Sequence, residues 1–450
     1  MVRITVAYCP DGNGTIGGGA LSRIAVIGTG YVGLTTAACF ADLGNEVVGV
    51  DIDLDAVATL QRGEVTFFEP GLQEVVTRNL GSGRLRFTSS YEDAVPTAEF
   101  VFLAVGTPMG ATGEADLTQV REAAAMIAIH LAEPSVVVNK STVPIGTGDI
   151  VSNIIGTTSA TDVNVHVVSN PEFLREGTAI HDFMAPDRVV LGAHDHAAAV
   201  RVGELYKALE VPVLITTLYS AEMIKYASNA FLATKVSFIN EVARICEKVG
   251  ADIKVVAEGM GLDHRICGEY LSAGLGYGGS CLPKDVQALV HISQLIGAHP
   301  QLLHAVMDIN RSQPLLLIDK LHDAIGTLDQ KTIAMLGLSF KPNTDDMREA
   351  PSLGLIKSLQ RMGAQVRAYD PAAMETAGRR VSGVHMAGDA FEAVEGADAL
   401  IVVTEWSEFR QLDLERVKGL MRRPVIIDGR NIYDPAEVRA MGFIYHGVGR

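Results

Sequence analysis

The sequence is poor in basic residues relative to acidic ones, and this balance excludes one broad class of function. It has 37 lysines and arginines against 53 aspartates and glutamates, which gives a formal net charge of −16. Sequence-independent binding of nucleic acid draws its affinity from Lys and Arg that neutralise phosphates. Nucleic acid is therefore not expected as a partner, whereas a few local cations can still bind a small anion.

Long apolar runs and paired cysteines are also lacking. No apolar run approaches the ~18 residues of a membrane helix, and Pro10 and Asp11 interrupt the only apolar stretch near the N-terminus, so no signal peptide is predicted. Five cysteines form no disulfide framework in a chain of 450 residues, which indicates a reducing compartment. They are Cys9, Cys39, Cys246, Cys267 and Cys281. We therefore predict a cytoplasmic protein with no membrane partner.

Two stretches of the chain alternate strand and helix signals in the way that is typical of a parallel sheet. From Arg23, "RIAVIGTGYVGLTTAACFADLGNEVVGVD" reads as strand, glycine loop, helix and strand, and "FVFLAV", "SVVVN" and "VHVVS" read as further buried strands. From Thr332 the pattern returns in "KTIAMLGLSF", "APSLGLIKSLQRMG" and "AQVRAYDP", while the residues between have helical spacing. The sequence predicts an α/β protein with two doubly wound Rossmann-like domains joined by a helical central domain.

The predicted boundaries are 1–21 for an N-terminal extension, 22–216 and 326–450 for the two α/β domains, and 217–325 for the helical domain. A long connecting helix is expected around Gln301 to Ile325, and Pro314 should either kink it or break it.

The first glycine loop has the surroundings of a dinucleotide site. "GTGYVG", residues 28–33, follows a predicted strand and opens a predicted helix. The first glycine permits the turn, the second lets the backbone approach a pyrophosphate, and the third allows close packing. Asp51 can accept from both ribose hydroxyls and disfavours a 2′-phosphate, so NAD is favoured over NADP. The corresponding "GLSFKP" lacks this pattern, and Lys341 and Arg348 near it suggest a different phosphate-bearing ligand.

A second candidate site is "GYGGSCLPKD", which places Cys281 behind three glycines and before Lys284 and Asp285. Glycines let a ligand approach the backbone, and Lys284 could lower the pKa of the thiol, whose thiolate is the nucleophile. A thiol beside a nicotinamide can capture an aldehyde as a thiohemiacetal, which a second hydride transfer turns into a thioester. Alternatively, Cys281 is a small buried side chain in a glycine turn. The local sequence leaves both interpretations open.

The chain resembles the UDP-glucose 6-dehydrogenase branch of the UDP-glucose/GDP-mannose dehydrogenases from roughly Arg23 to Asp434. The motifs that carry the resemblance are "GTGYVGL", "FFEPGL", "VGTP", "KSTVPIGT", "NPEFLREG", "PDRVV", "KYASNAFLATKVSFINE", "GYGGSCLPKD", "FKPNTDD" and "DGRN". The resemblance implies that a sugar C6 alcohol is oxidised to a carboxylate while two NAD⁺ are reduced, without release of an aldehyde. It also implies an NAD-binding first domain, a dimerising central domain and a nucleotide-sugar-binding last domain, with no metal.

The resemblance implies a catalytic set of six residues. Cys281 resembles the nucleophile, and Glu172 resembles the acid/base that activates the water for thioester hydrolysis, a task that suits a carboxylate if partial burial holds its pKa near neutrality. Lys225 and Asn229, at helical i, i+4 spacing, resemble donors to the sugar O6 and the oxyanion. Thr142 and Asp285 resemble a pair that positions a water.

Binding residues follow from the same resemblance. Cofactor contacts are implied for Gly28, Gly30, Tyr31, Val32, Gly33, Asp51, Thr107, Thr142, Glu176, Lys284 and Arg348, with Glu176 one turn from Glu172 if that segment is helical. Substrate contacts are implied for Glu172, Phe173, Leu174, Lys225, Asn229, Arg265, Tyr277, Gly278, Lys341 and Arg430. Phe173 and Leu174 should offer mainly backbone. Arg265 resembles an arginine that reaches into a neighbouring subunit, which implies a homodimer or a higher homo-oligomer.

Two positions depart from the family pattern, and several functions remain in competition. Ala56 stands where a cation toward the adenine ribose is frequent, and Cys267 stands where glycine is usual, which leaves the backbone near Arg265 open. The favoured reaction converts UDP-glucose to UDP-glucuronate. TDP-glucose is the main alternative substrate and GDP-mannose a weaker one. An alcohol dehydrogenase that stops at the aldehyde, or a silent sensor of NAD and nucleotide sugar, would be a different function.

Overall fold

The computed structural model describes residues 5–7, 21–110, 112–159 and 163–450. They form two compact units, Met1–Ala227 and Ser228–Arg450. Cys9 and most of the predicted extension 1–21 lie outside the described residues.

The first unit is built on one sheet. Its strands are β1 (Thr5–Ala7), β2 (Arg23–Ile27), β3 (Glu46–Val50), β4 (Leu85–Thr88), β5 (Phe100–Leu103), β6 (Ser135–Asn139), β7 (Val165–Ser169), β8 (Val189–Ala193) and β9 (Val213–Thr216). Its helices are α1 (Tyr31–Asp42), α2 (Leu54–Gln61), α3 (Leu72–Gly81), α4 (Thr118–His130), α5 (Thr147–Thr158), α6 (Ala179–Met184) and α7 (His196–Glu204), followed by a 3₁₀ turn at Lys207–Leu209. Helix α8 (Leu218–Val249) begins in this unit and continues into the second.

The order of the strands is β1-β9-β8-β7-β6-β5-β2-β3-β4. Strands β2 to β7 are parallel and doubly wound, and the order reverses between β2 and β5, where ligands of such sheets bind. The sheet is not wholly parallel, because β8 is antiparallel to β7 and β1 is antiparallel to β9. In β2, Ile24 and Val26 face one apolar cluster while Ala25 and Ile27 face another. Both faces are therefore covered, as a parallel sheet requires.

The second unit has a helical part and a smaller sheet. After α8 its helices are α9 (Ile253–Gly261), α10 (Leu282–Leu295), α11 (Gln301–Ser312), α12 (Leu315–Ile325), α13 (Pro351–Arg361), α14 (Met374–Arg380), α15 (Ala390–Val394), α16 (Ser407–Arg410), α17 (Leu414–Leu420) and α18 (Pro435–Ala440). Its strands are β10 (Thr332–Leu336), β11 (Gln365–Tyr369), β12 (Val384–Met386), β13 (Ala399–Val402), β14 (Val425–Asp428) and β15 (Ile444–His446).

This second sheet repeats the doubly wound order in a wholly parallel form, β12-β11-β10-β13-β14-β15. The predicted fold class, two Rossmann-like regions with a helical region between them, is confirmed. The helix expected around Gln301 to Ile325 is two helices, since α11 ends at Ser312 and α12 begins at Leu315. Pro314 lacks the N–H that would continue the ladder, so it breaks the helix. The longest helix is α8 instead. The domain boundaries stay a prediction.

Aspartates fix the start of several helices, because a carboxylate at the residue before a helix accepts from free N–H groups of the first turn. These caps are Asp53 (α2), Asp195 (α7), Asp252 (α9), Asp389 (α15), Asp413 (α17) and Asp434 (α18). None of the helices in the described ranges has both the length and the apolar character needed to cross a membrane.

Candidate active site

The three glycines that follow β2, two in the loop and Gly33 in α1, have three different environments. Gly28 has a φ of +93°, which only glycine adopts easily, and its N–H donates to Val50 O at 2.7 Å. A Cβ on Gly33 would lie 1.9 Å from Gly28 O, so helix α1 can approach the loop only without a side chain there. A Cβ on Gly30 would meet nothing within 4 Å, which leaves open space beside the loop. This arrangement fits a bound pyrophosphate.

Asp51 follows β3 and stabilises the same loop. Its Oδ2 accepts from Thr29 N at 2.7 Å and from Thr29 Oγ1 at 2.8 Å, and its Oδ1 accepts from Asp53 N at 3.1 Å. The carboxylate is only partly buried, and each oxygen can accept about two hydrogen bonds. Oδ1 therefore keeps capacity for a ribose hydroxyl.

Glu69, from the "FFEPGL" motif, ties the glycine loop to the segment before α6. Its Oε2 accepts from the Tyr31 hydroxyl and from Gly177 N, both at 2.6 Å, and its Oε1 accepts from Ala179 N at 2.7 Å. Burial first, and then the bond to Glu69, raise the pKa of Tyr31. Sequence reasoning did not single out Glu69, although the motif that contains it was the available signal. Tyr31 is thus held at the first position of α1, beside the half-buried Val32.

The predicted cofactor threonines lie together. Thr107, after β5, donates from its hydroxyl to Thr142 O at 2.8 Å, and Thr142 lies in the loop after β6. Glu222 of α8 holds the end of this loop, since its carboxylate accepts from Gly146 N at 2.6 Å and from Gly148 N at 2.8 Å. Burial raises the pKa of Glu222 to about 7. This carboxylate is a further residue that sequence reasoning missed.

Glu172 and Lys225 form a buried ion pair. Lys225 Nζ lies 2.8 Å from Glu172 Oε1, and each side chain is only 4% exposed. Lys225 is on α8, so its predicted helical setting is confirmed. Residues 170–175 are not helical, so Glu176 is not one helical turn from Glu172, and it lies instead in the turn before α6.

The pKa of Glu172 is below the near-neutral value expected for its predicted acid/base role. Burial by itself would raise this pKa, but the charge and hydrogen bond of Lys225, the N–H of Leu174 and the charge of Lys140 together hold it below the usual range. The carboxylate is therefore ionised at neutral pH and can accept a proton. The N–H of Leu174 donates to Glu172 Oε2 at 2.6 Å, so it is engaged within the protein instead of being offered to a substrate.

Two cationic side chains lie over the ring of Phe173. The guanidinium of Arg188 lies 3.7 Å from the ring centroid, and Lys225 Nζ lies 5.4 Å from it. Cations are attracted to the negative face of an aromatic ring. Arg188 belongs to the "PDRVV" motif, but sequence reasoning gave it no role.

In the second unit, Cys281 lies at the N-terminus of α10, close to other residues that the sequence assigns to the same site. Its thiol is partly exposed, and its Sγ lies 3.5 Å from Ser280 Oγ. The buried carboxylate of Asp285 is held by Lys284 Nζ at 2.7 Å and by Asn229 Nδ2 at 2.6 Å. The unit thus brings Cys281, Lys284, Asp285 and Asn229 together within one turn of α10 and its neighbour α8. A helix N-terminus favours an anionic thiolate.

The glycines before Cys281 are needed for close packing. A Cβ on Gly278 would lie 2.4 Å from Glu349 O, and a Cβ on Gly279 would lie 2.7 Å from the ring of Phe340. Tyr277 is held through its N–H, which donates to Asn310 Oδ1 at 2.8 Å, and burial raises its pKa to about 12.

Three residues of the second unit that are predicted to contact ligands also contact other residues of the protein. Arg430 donates to Val403 O at 2.8 Å, Phe340 O at 3.1 Å and Gly276 O at 3.3 Å. It thereby links three loops. Arg348 pairs with Asp346, and Lys341 lies 5.4 Å from the centroid of the Phe340 ring.

The two departures from the family pattern are accommodated locally. Cys267 has a φ of +61°, so the backbone near Arg265 keeps the left-handed conformation that a glycine there would favour. Arg265 is largely exposed and pairs with Asp263. Ala56 donates its N–H to Asp53 and supplies no cation. No cluster of three or more His, Cys, Asp or Glu that could hold a metal ion occurs in the described part of the chain.

Comparison with known proteins gives consistent matches along the chain. Residues 22–210, 219–312 and 334–435 match the NAD binding domain, the central domain and the UDP binding domain of the UDP-glucose/GDP-mannose dehydrogenase family. UDP-glucose 6-dehydrogenase TuaD of Bacillus subtilis is 49% identical over 431 residues, which cover 96% of this chain and 94% of that protein. UDP-glucose 6-dehydrogenase of Rhizobium meliloti is 48% identical, with 95% and 99% covered. The solved UDP-glucose dehydrogenase of Pyrobaculum islandicum has a TM-score of 0.91 at 39% identity, with 97% and 100% covered.

Proposed function

Because the chain belongs to the UDP-glucose/GDP-mannose dehydrogenase family, we propose that it oxidises the C6 alcohol of UDP-glucose to the carboxylate of UDP-glucuronate. The net reaction consumes one water and two NAD⁺ per sugar, and it gives two NADH and three protons.

The residues of the first unit fit a dinucleotide. Gly28, Gly30 and Gly33 leave a tight loop with open space beside it, and Asp51 keeps acceptor capacity for a ribose. The charge of Asp51 disfavours a 2′-phosphate, which supports NAD over NADP. When bound, NAD⁺ would accept the hydride that leaves C6, and the hydroxyl proton is one of the three protons that the net reaction releases.

The thiol of Cys281 is the group that retains the half-oxidised sugar. Its thiolate adds to the C6 aldehyde, and the resulting thiohemiacetal oxygen receives a proton. Loss of a second hydride and of that proton gives a thioester, and water then displaces the thiolate to leave the carboxylate. The covalent bond to sulfur explains why no aldehyde would be released.

Lys225, Asn229 and Glu172 handle the charges of these steps. The ammonium of Lys225 and the amide of Asn229 donate to oxygen as negative charge develops on it. Glu172, ionised at neutral pH, accepts the proton of the attacking water. The Asn229 amide is aligned by its bond to Asp285.

One observation carries the proposal above the others. A partly exposed thiol lies at the N-terminus of α10, and in the next turn of that helix the buried carboxylate of Asp285 accepts from Asn229 of α8. A cysteine used only for packing needs neither feature.

The deciding measurement is the amount of NADH formed per sugar consumed. We expect two NADH per UDP-glucose in the parent and loss of turnover, by about a thousandfold or more, in Cys281→Ser. The matched control is Cys267→Ser, which changes an exposed thiol in the same unit and should leave turnover unchanged.

One NADH per sugar, with Cys281→Ser unimpaired, would instead indicate an alcohol dehydrogenase that stops at the aldehyde. No NADH at all, with nucleotide sugar bound, would indicate a sensor.

The choice of nucleotide sugar needs a panel of substrates. UDP-glucose should give the highest kcat/KM, and TDP-glucose, which differs by one methyl group on the base, is the alternative to be tested beside GDP-mannose. A cytoplasmic location and assembly as a homodimer or higher homo-oligomer, with Arg265 contributed to a neighbouring subunit, stay predictions from the sequence.

A further inference from the structure

Lys140 is a buried cation whose hydrogen-bond partners are neutral. It follows β6, is 5% exposed, and donates to Asn170 Oδ1 at 3.2 Å and to the Tyr206 hydroxyl at 3.3 Å. Its Nζ also lies 5.9 Å from the centroid of the Phe183 ring and 5.7 Å from that of Tyr206. No carboxylate in the described ranges lies within ion-pair distance of it. A buried charge without a direct counter-ion is costly, so its retention calls for a reason.

The polar groups around Lys140 are oriented to accept hydrogen bonds from its ammonium group. Asn170 Nδ2 donates to Val190 O at 3.0 Å, which fixes the amide with its oxygen toward Lys140. The Tyr206 hydroxyl donates to the same Asn170 oxygen at 2.6 Å and so turns a lone pair toward the ammonium. Asn170 N donates to Asn139 O at 2.9 Å, so the carboxyl ends of β6 and β7 are fastened side by side. The cation is thereby held close to the loop that carries Glu172.

The charged groups that act on Lys140 are both members of the candidate site. Burial lowers the pKa of Lys140 to about 8, Glu172 raises it from the loop after β7, and Lys225 lowers it from α8. Tyr206 faces it from the segment after α7 and is itself near Cys39 of α1. Burial raises the pKa of Glu172, and the charges of Lys225 and Lys140 lower it. Two cations therefore share one buried carboxylate.

We propose that Lys140 is a positioning residue of the proposed reaction, which acts through Glu172 and Lys225. Its charge adds to that of Lys225 in holding Glu172 ionised as a base, and it gives the cluster of Lys140, Glu172 and Lys225 a net positive charge. That net charge favours the negative charge that develops on the substrate oxygen, and it does so without contact between Lys140 and the substrate. The inference rests on the proposed function for its catalytic consequence, but not for its effect on Glu172.

The test compares Lys140→Met with the parent across pH. Without the second cation, the acidic limb of the kcat profile should move to higher pH, because protonation of Glu172 becomes easier. At neutral pH kcat should fall about tenfold, while KM for UDP-glucose changes little. Lys140→Arg, which keeps the charge, should return the limb toward its parental position. The matched control is Tyr206→Phe, which removes one hydrogen bond from Lys140 but keeps the charge, so the limb should stay in place.

A second readout does not depend on turnover. The carboxylate band of Glu172, identified in infrared difference spectra by its loss in Glu172→Gln, should titrate at higher pH in Lys140→Met than in the parent. A band and an acidic limb that both stay at the parental pH in folded Lys140→Met would overturn the proposal, whatever the value of kcat. If Lys140→Met does not fold, Asn170→Asp replaces it, because an added carboxylate should cancel the charge of Lys140 and move the band the same way. An unmoved band in Asn170→Asp would also overturn it. Failure of the proposed function is seen separately, as one NADH per sugar in the parent.

Discussion

The two sheets place an acidic residue after the same strand of their parallel part and use it in opposite ways. In the first unit, Asp51 follows the strand next to the glycine loop, is partly accessible, and keeps an oxygen with spare acceptor capacity. In the second unit, Asp370 follows the equivalent strand β11 and is fully buried. Its Oδ2 accepts from Leu338 N, Ser339 N, Ser339 Oγ and the indole N–H of Trp406, and its Oδ1 accepts from the N–H groups of Ala372 and Ala373.

The loops beside these aspartates differ in the same sense. A side chain on Gly30 would extend into open space. The equivalent position of the second loop is Ser339, whose buried hydroxyl donates to Asp370 Oδ2 at 3.0 Å. The second unit has filled with its own atoms the place where the first unit leaves room. Identical strand order therefore gives two different sites, because side chains and not topology decide whether a dinucleotide fits beside the loop.

The largest expected effect comes from breaking the open loop. Gly33→Ala should weaken the binding of NAD by about a hundredfold, because the Cβ of the alanine would overlap Gly28 O and push α1 away from the loop. Gly30→Ala is the control for folding, since its Cβ meets no protein atom and its φ of −67° suits alanine. Its thermal unfolding midpoint should equal that of the parent while NAD binding, measured by calorimetry, weakens. An unchanged NAD affinity in Gly30→Ala would contradict the proposed approach of the pyrophosphate to this residue.

Exchanging the two aspartates for asparagine should separate stability from binding. Asp370→Asn should lower the free energy of unfolding by about 3 kcal/mol, since several buried donors lose a charged acceptor, and it should leave the Kd of NAD unchanged. Asp51→Asn should lower the free energy of unfolding by about 1 kcal/mol or less. It should weaken the binding of NAD about tenfold and reduce the preference of the protein for NAD over NADP. Urea unfolding and cofactor titration measure both quantities. Equal losses of affinity in the two variants would remove the distinction between the sheets.

Trp406→Phe tests how much the indole of Trp406 contributes to holding the buried carboxylate of Asp370. The substitution removes the indole N–H that lies 3.2 Å from Asp370 Oδ2 but keeps an aromatic ring in place. Because Asp370 retains its other donors, we expect a loss of only about 1 kcal/mol in urea unfolding followed by circular dichroism. A loss as large as that of Asp370→Asn would mean that Trp406, and not the loop backbone, holds the carboxylate.

The smallest expected effect is a difference in pH dependence between buried carboxylates of the two sheets. Cations outweigh burial at Glu172 and lower its pKa, so its contribution to stability is present above the unfolded pKa and is lost as pH falls through the folded pKa. At Asp428 burial outweighs hydrogen bonds from backbone and Tyr445 and raises the pKa, so its contribution is lost as pH rises through the folded pKa. Relative to the parent, the deficit of Glu172→Gln should shrink toward low pH, and that of Asp428→Asn should shrink toward high pH. The same trend in both variants would contradict these directions.

The sequence predicts local features of this molecule better than features that depend on distant residues. The runs "SVVVN" and "VHVVS" are strands β6 and β7 to the residue, and the spacing of Lys225 and Asn229 is confirmed on α8. The glycine pattern was informative because each glycine meets a local requirement of the loop. The break at Pro314 also follows from local chemistry, although the sequence alone did not choose between a kink and a break.

The remaining features arise from residues far apart in the chain. The low pKa of Glu172 depends on Lys225, 53 residues away, and the role of Glu69 depends on Gly177 and Ala179, more than a hundred residues away. Lys140 is part of a quoted motif, but nothing in that motif indicates that Asn170 and Tyr206 will surround its ammonium. Such partnerships exist only after the sheet has formed.

Trp406, which donates a hydrogen bond to Asp370, is also an intrinsic fluorescent label of this protein. The chain has a single tryptophan, and that indole is buried in the second unit, against the sealed end of its sheet. Its emission spectrum should therefore change when water enters that sheet and should not change when the first sheet unfolds. Followed beside the near-ultraviolet signal of bound NADH, it would show whether the two sheets come apart together or in sequence, with no dye attached.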